Sequence, residues 1–132
     1  MTAWVALVTL AALLFYFWTG INVAQQRGKT GIKAPAMVGA PALERAVRVQ
    51  MNTLEWLPLF LGSLWLCAAY LPRWDWVAAL IGVVWIVGRV IYMRAYMADP
   101  ATRSLGFSIQ AFTTIALFLG ALVGIILTLA GI

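Results

Sequence analysis

The chain has 132 residues, of which 64% are hydrophobic and 10% are charged. Soluble domains are about 45–50% apolar and about 25% charged, so this composition excludes an ordinary soluble protein and indicates a membrane protein. With no histidine, one cysteine and four acidic residues, the chain offers little for a metal cluster and cannot form an internal disulfide. We predict no metal site. We interpret the net charge of +5 as loop charge that sets membrane topology, not as a nucleic-acid footprint.

The apolar segments predict an all-α integral membrane protein, a bundle of four transmembrane helices in a single domain over residues 1–132. One helical crossing takes about 20 residues. The expected spans are residues 3–25, 43–71, 75–97 and 104–131. The first is interpreted as a retained span, because Arg27 and Lys29 follow the apolar run, whereas a signal peptide has its cations before it.

The connections are predicted from breakers and charge. Glycine, proline and cations are dense between residues 25 and 42, which predicts a basic loop. Residues 71–75 form a short turn, and Asp99 and Pro100 end the third helix. In the fourth span, Gly120 and Gly124 have the spacing that lets helices approach closely.

The distribution of cations predicts the topology. All of the nine Lys and Arg residues except Arg73 fall on the side of the first and third loops. By the positive-inside rule these two loops are cytoplasmic and both termini lie on the far side. The short loops favour a bacterial inner membrane.

Two polar stripes are the candidates for function. Arg48, Asn52 and Glu55 are spaced i, i+4 and i+7 and share one face of the second helix. On the third helix Arg89, Tyr92 and Tyr96 have a similar spacing, and Arg103 follows the helix break. Charges inside a bilayer are costly, so such stripes are expected to line a cavity or an interface.

These residue types leave the ligand open. Guanidinium groups favour carboxylates, and a carboxylate such as Glu55 favours an ammonium group. A small zwitterionic peptide with excess carboxylate fits, and so does an anionic lipid headgroup. For each single arginine, a side chain that only reaches the lipid headgroups is the simpler alternative.

Residues 39–61, GAPALERAVRVQMNTLEWLPLFL, resemble the signature of the MAPEG family, membrane-associated proteins of eicosanoid and glutathione metabolism. The positions that match its pattern are Gly39, Glu44, Arg45, Gln50 and Asn52. The third-helix pattern is similar to that of the branch containing leukotriene C4 synthase and microsomal glutathione transferase, and we expect a bacterial member.

The resemblance implies a homotrimer that holds glutathione between neighbouring subunits at the cytoplasmic side. It assigns glutathione binding to Arg27, Arg48, Gln50, Asn52, Glu55, Trp56, Tyr92, Tyr96 and Arg103. Arg103 would also stabilise the thiolate, as the catalytic residue. Trp56 replaces a tyrosine of synthase-like members, and Gly28 replaces an arginine proposed there as proton donor, which argues against leukotriene C4 synthesis itself.

The resemblance therefore predicts a membrane glutathione transferase, with glutathione peroxidase as a second activity, that acts on hydrophobic electrophiles from the bilayer. Glutathione would be a co-substrate, and membrane lipids and apolar electrophiles the other partners. The alternative is a non-catalytic scaffold of the same family that binds lipids or fatty acids. A small proton-coupled transporter is disfavoured because the first helix carries no carboxylate.

Overall fold

Four long helices account for most of residues 2–132, the part of the chain that the computed structural model describes. They are α1 (Ala3–Thr30), α2 (Pro41–Tyr70), α3 (Asp75–Ala98) and α4 (Ser104–Leu129). Each is long and apolar enough to cross a membrane. The predicted all-helical architecture with four candidate spans is confirmed.

The helix α1 is longer than the sequence predicts. The predicted start of the basic loop at residue 25 is wrong, because residues 25–30 are helical. The helix continues to Thr30, so Arg27 and Lys29 lie in its last turn. Cations are favourable there because they face the negative end of the helix dipole. Gly31 then ends the helix in the left-handed conformation (φ 72°), with its N–H donating to the Arg27 carbonyl at 2.9 Å.

Prolines set the limits of the helices near the polar stripes. Pro41 occupies the first turn of α2, where its missing N–H costs no hydrogen bond. Pro100 follows α3, and the Asp99 side chain accepts a hydrogen bond from the Ala101 N–H at 3.0 Å. Because α4 begins at Ser104, Arg103 lies at its N-terminal end.

Close packing fixes the three helices that carry the stripes. The buried rings of Phe60 on α2 and Trp85 on α3 stack in parallel with centroids 4.0 Å apart. A Cβ on Gly106 of α4 would overlap the backbone of Tyr92 and the carbonyl of Gly88 on α3. The first turns of α4 therefore lie directly against α3 at the level of Tyr92.

The fourth helix also approaches α2 at its other end. A Cβ on Gly124 would come within 2.9 Å of the Tyr70 carbonyl oxygen, and one on Gly120 within 2.9 Å of the Cys67 sulfur. The close approach predicted for these two glycines is confirmed.

The outer faces of the helices are apolar. Large side chains such as Leu10 and Phe112 are 65% and 71% exposed. Apolar surface of this extent is unfavourable in water and is typical of helices that face lipid.

Candidate functional site

A cavity of about 400 Å³ lies where α2, α3 and the first turns of α4 meet. Its volume falls in the range of about 300–1,000 Å³ that is usual for small-molecule sites. It is lined by Arg48, Asn52, Trp56, Tyr92, Arg103, Ser104, Phe107 and Ser108. The two polar stripes predicted from the sequence thus meet at one place.

Charge of both signs lies at the edge of this cavity. Arg48 Nη1 is 3.8 Å from Glu55 Oε1, two turns further along α2. Glu55 does not line the cavity itself, but it is paired with Arg48, which does. A ligand entering here meets a guanidinium and a carboxylate side by side.

Arg89 lies behind the cavity wall rather than in it. Its side chain is fully buried and donates to Asn52 Oδ1 at 2.8 Å and to Thr53 Oγ1 at 2.6 Å. The guanidinium carbon also lies 4.3 Å from the centre of the Tyr92 ring. The α3 stripe is expected to line a cavity or an interface, and Arg89 lies in the packed interface between α3 and α2. One turn of helix separates it from Tyr92, which does line the cavity.

The two tyrosines of α3 connect to Arg103. Tyr92 and Tyr96 stack with ring centroids 5.5 Å apart. The Arg103 guanidinium carbon is 6.0 Å from the centre of the Tyr96 ring. Tyr96 therefore lies beside the cavity, in contact with Tyr92 and near Arg103, which both line it.

The remaining wall is aromatic. Trp56 meets Phe107 edge to face with centroids 5.6 Å apart, and Phe107 lies 6.4 Å from Tyr92. These rings give the cavity an aromatic, apolar part of its wall.

Arg27 and Gln50 lie outside this cavity. Gln50 faces α1, where it borders a separate groove beside Tyr16 and Gly20. Arg27 donates to the Ala36 carbonyl of the first loop at 2.6 Å. A helix turns about 100° per residue, so Gln50 cannot share a face with Arg48 or Asn52.

Of the predicted glutathione ligands, five line the cavity, Glu55 and Tyr96 border it, and two lie elsewhere in the chain. That they bind glutathione stays a prediction. Three cavity residues, Ser104, Phe107 and Ser108, were not among the site residues predicted from the sequence. Their signal is the i, i+3, i+4 spacing on the first turns of α4, directly after Arg103.

Residues 2–132 contain no group of three Cys, His or acidic side chains that could hold a metal ion. The polar groups of the cavity are guanidinium, amide, phenol and hydroxyl groups. This set suits an organic anion or zwitterion better than a cation.

Comparison with known proteins gives one family. The chain matches the MAPEG family over residues 5–123. It is 41% identical to an uncharacterized protein of Synechocystis over 93% of this chain and 88% of that protein. It is 30% identical to human microsomal glutathione S-transferase 2 over 89% of this chain and 79% of that enzyme. The identity to leukotriene C4 synthase of Cavia porcellus is 33%, over 76% of this chain and 66% of that enzyme.

The matched region includes both polar stripes and all the cavity residues. Similarity to a cyanobacterial protein agrees with the expected bacterial origin. The four candidate spans and the family match together identify the chain as a multi-pass integral membrane protein that belongs to the MAPEG family.

Proposed function

We propose that this protein is a membrane glutathione transferase that conjugates glutathione to hydrophobic electrophiles from the bilayer. The observation that carries the proposal is the meeting of Arg48, Asn52, Tyr92 and Arg103 around one cavity with Glu55 at its edge. Glutathione has two carboxylates, one ammonium group and one thiol, and these charges complement that set. Two relatives are named for a glutathione transferase and a leukotriene C4 synthase.

Each end of glutathione has a proposed partner. Glu55 pairs with the ammonium group, and Arg48 pairs with a carboxylate, to which a guanidinium can bind with two parallel hydrogen bonds. In the ligand-free protein these two side chains pair with each other. Binding therefore exchanges one ion pair for two, which favours a zwitterion over a simple anion.

Arg103 is proposed to act on the thiol. A nearby cation lowers the pKa of a thiol, and the thiolate is the nucleophile. The sulfur forms a bond to the electrophilic carbon, the bond to the leaving group breaks with its electron pair, and the thiol proton passes to water. The products are the thioether, the leaving group as an anion and a proton held by water.

The proposed peroxidase activity uses the same thiolate. Its sulfur attacks one oxygen of a lipid hydroperoxide and breaks the O–O bond, which releases the alcohol. A second glutathione then displaces the resulting hydroxyl from sulfur. One hydroperoxide and two glutathione molecules give one alcohol, one water and one glutathione disulfide.

The apolar co-substrate is proposed to bind beside Trp56 and Phe107, whose rings form the aromatic side of the cavity. Such rings recognise apolar molecules by burial and stacking rather than by hydrogen bonds. This predicts broad selectivity for flat or extended hydrophobic electrophiles.

The complete site is proposed to form in a homotrimer. Arg27 and Gln50 lie on the α1 side of the chain, away from the cavity. In a ring of identical subunits, this surface of one copy can face the cavity of the next. The first and third loops, and with them the site, would face the cytoplasm across a bacterial inner membrane.

Titration calorimetry with glutathione on the purified protein in mild detergent tests the proposal, together with conjugation of an apolar chloronitrobenzene. Arg48→Gln should weaken binding, whereas Arg73→Gln, which removes a cation at the other end of the bundle, should not. Absence of both binding and conjugation would refute the proposal. Binding of fatty acids in their place would favour the scaffold alternative.

A further inference from the structure

Arg89 is a buried cation without a buried anion beside it. Its side chain has no exposed surface, and residues 2–132 place no carboxylate within ion-pair distance of it. A guanidinium in this position is costly unless its surroundings compensate the charge. Its neighbours are two neutral oxygens, of Asn52 and Thr53, and the face of the Tyr92 ring. Two of these three neighbours, Asn52 and Tyr92, line the cavity.

The hydrogen bond to Asn52 fixes the direction of its amide. A guanidinium has only donors, so the Asn52 atom that it holds at 2.8 Å must be the oxygen. The NH2 group of Asn52 is then left as the part of the side chain available to the cavity. Asn52 can therefore donate to a ligand through its NH2 group, while its oxygen already accepts from Arg89.

The second hydrogen bond and the ring contact restrict Arg89 itself. Thr53 Oγ1 accepts from Nη2, and its hydroxyl donates a hydrogen bond to the Val49 carbonyl at 2.7 Å, so the direction of the hydroxyl is also set. The guanidinium carbon lies 4.3 Å from the Tyr92 ring centre, in the range of a cation–π contact. The fork of Arg89 thus ties α2 to α3 directly behind the cavity.

We propose that Arg89 is a positioning residue of the ligand site, which turns the NH2 group of Asn52 towards the ligand as a donor and holds the Tyr92 ring. The ligand group that faces Asn52 is then an acceptor, a peptide carbonyl or a carboxylate oxygen, and its negative charge is favoured by the positive charge behind the wall. This inference rests on the proposed glutathione site and names a residue that acts on the ligand only through Asn52 and Tyr92.

Binding measurements on Arg89 variants test the inference. Arg89→Lys keeps a charge near Tyr92 but loses the fork, and should weaken glutathione binding about fivefold, and Arg89→Met about tenfold or more. Arg94→Met is the matched control, since Arg94 is exposed on the same helix, and should change binding less than twofold. Unchanged binding in Arg89→Lys would overturn the inference, even if Arg89→Met fails to fold.

A double-mutant cycle separates positioning from general destabilisation. If Arg89 acts through Asn52, Arg89→Lys should have little further effect on binding once Asn52→Ala is present. Fully additive losses in the double variant would overturn this part of the inference. The pKa of the bound glutathione thiol should stay as in the wild type, because Arg103 is untouched.

The direction of the Asn52 amide can be measured without ligand. In nuclear magnetic resonance spectra of the ligand-free protein, the side-chain NH2 signals of Asn52 should shift in Arg89→Lys and not in Arg94→Met. Unshifted signals would overturn the inference whether or not glutathione binds. Conversely, shifted signals with no glutathione binding to the wild type would refute the proposed function alone.

Discussion

Arg48 and Glu55 pair across two turns of α2, and both side chains are about half exposed, at 50% and 55%. Ion pairs this exposed contribute only about 0–1 kcal/mol to stability. The pair can therefore be opened by a ligand, or by mutation, at little risk to the fold. This makes Glu55 a suitable place to test the orientation of the bound peptide.

Glu55→Gln should weaken glutathione binding about tenfold or more, because a charge-assisted hydrogen bond is worth about 1.5–3 kcal/mol. The substitution keeps the shape of the side chain and removes its charge. Glu44→Gln is the control, since Glu44 is exposed in the first turn of α2 and lies outside the cavity. Equal affinities of the two variants, measured by calorimetry, would mean that the ammonium group binds elsewhere.

Arg103→Leu should separate chemistry from binding. Most of the affinity for glutathione should remain, while the pKa of the bound thiol should rise towards its free value of about 8.5. The sign follows from the charge: loss of a cation destabilises the thiolate, so activity falls most at neutral pH and recovers partly in alkali. Ultraviolet thiolate absorbance and the pH profile of conjugation should move upward together.

Arg48→Leu gives the contrast to that result. It should weaken binding first and leave the thiol titration of the bound fraction near the wild-type position. If Arg103→Leu keeps the wild-type titration and rate, Arg103 is a headgroup anchor and the thiol is activated by another group.

The sequence predicts the helices and the two stripes because both depend on local patterns, apolar runs and a repeat near 3.6 residues. It does not determine which stripe residue faces outward, since that depends on how neighbouring helices pack. Arg89 shares the spacing of Tyr92 and Tyr96, yet its side chain is buried between α3 and α2, where it donates to Asn52 and Thr53. Ser104 and Ser108 join the cavity only because Gly106 lets α4 contact α3.

Gln110 offers a prediction about stability. Its side chain is fully buried on α4, and neither amide atom has a hydrogen-bond partner within residues 2–132. Because a buried polar group without a partner costs about 1–3 kcal/mol, Gln110→Met should raise the melting temperature in detergent. Thr114→Val is the control, since the Thr114 hydroxyl already donates to the backbone carbonyl of Gln110 at 2.8 Å. This control should not raise the melting temperature. A lower melting temperature for Gln110→Met would indicate that the amide has a partner in the assembled protein.

Mixed oligomers test whether neighbouring subunits share the site. Arg103→Leu removes the thiolate contact of one cavity, whereas the double change Arg27→Leu and Gln50→Leu removes the groups proposed to come from the next copy. Each variant alone should conjugate poorly. When the two are coexpressed with different tags and purified through both, every mixed trimer contains one junction at which an intact cavity meets an intact neighbour.

The mixed trimers should therefore recover about one third of wild-type activity, because a closed ring of three has three such junctions and one is restored. Trimers that carry both tags but only Arg103→Leu subunits should stay inactive, which controls for the tags. Mixed trimers as inactive as their parents would place Arg27 and Gln50 in the site of their own subunit. Full activity of trimers made only of the Arg27→Leu, Gln50→Leu variant would show that neither residue belongs to the site. A monomeric mass in light scattering, corrected for detergent, would contradict a site shared between subunits.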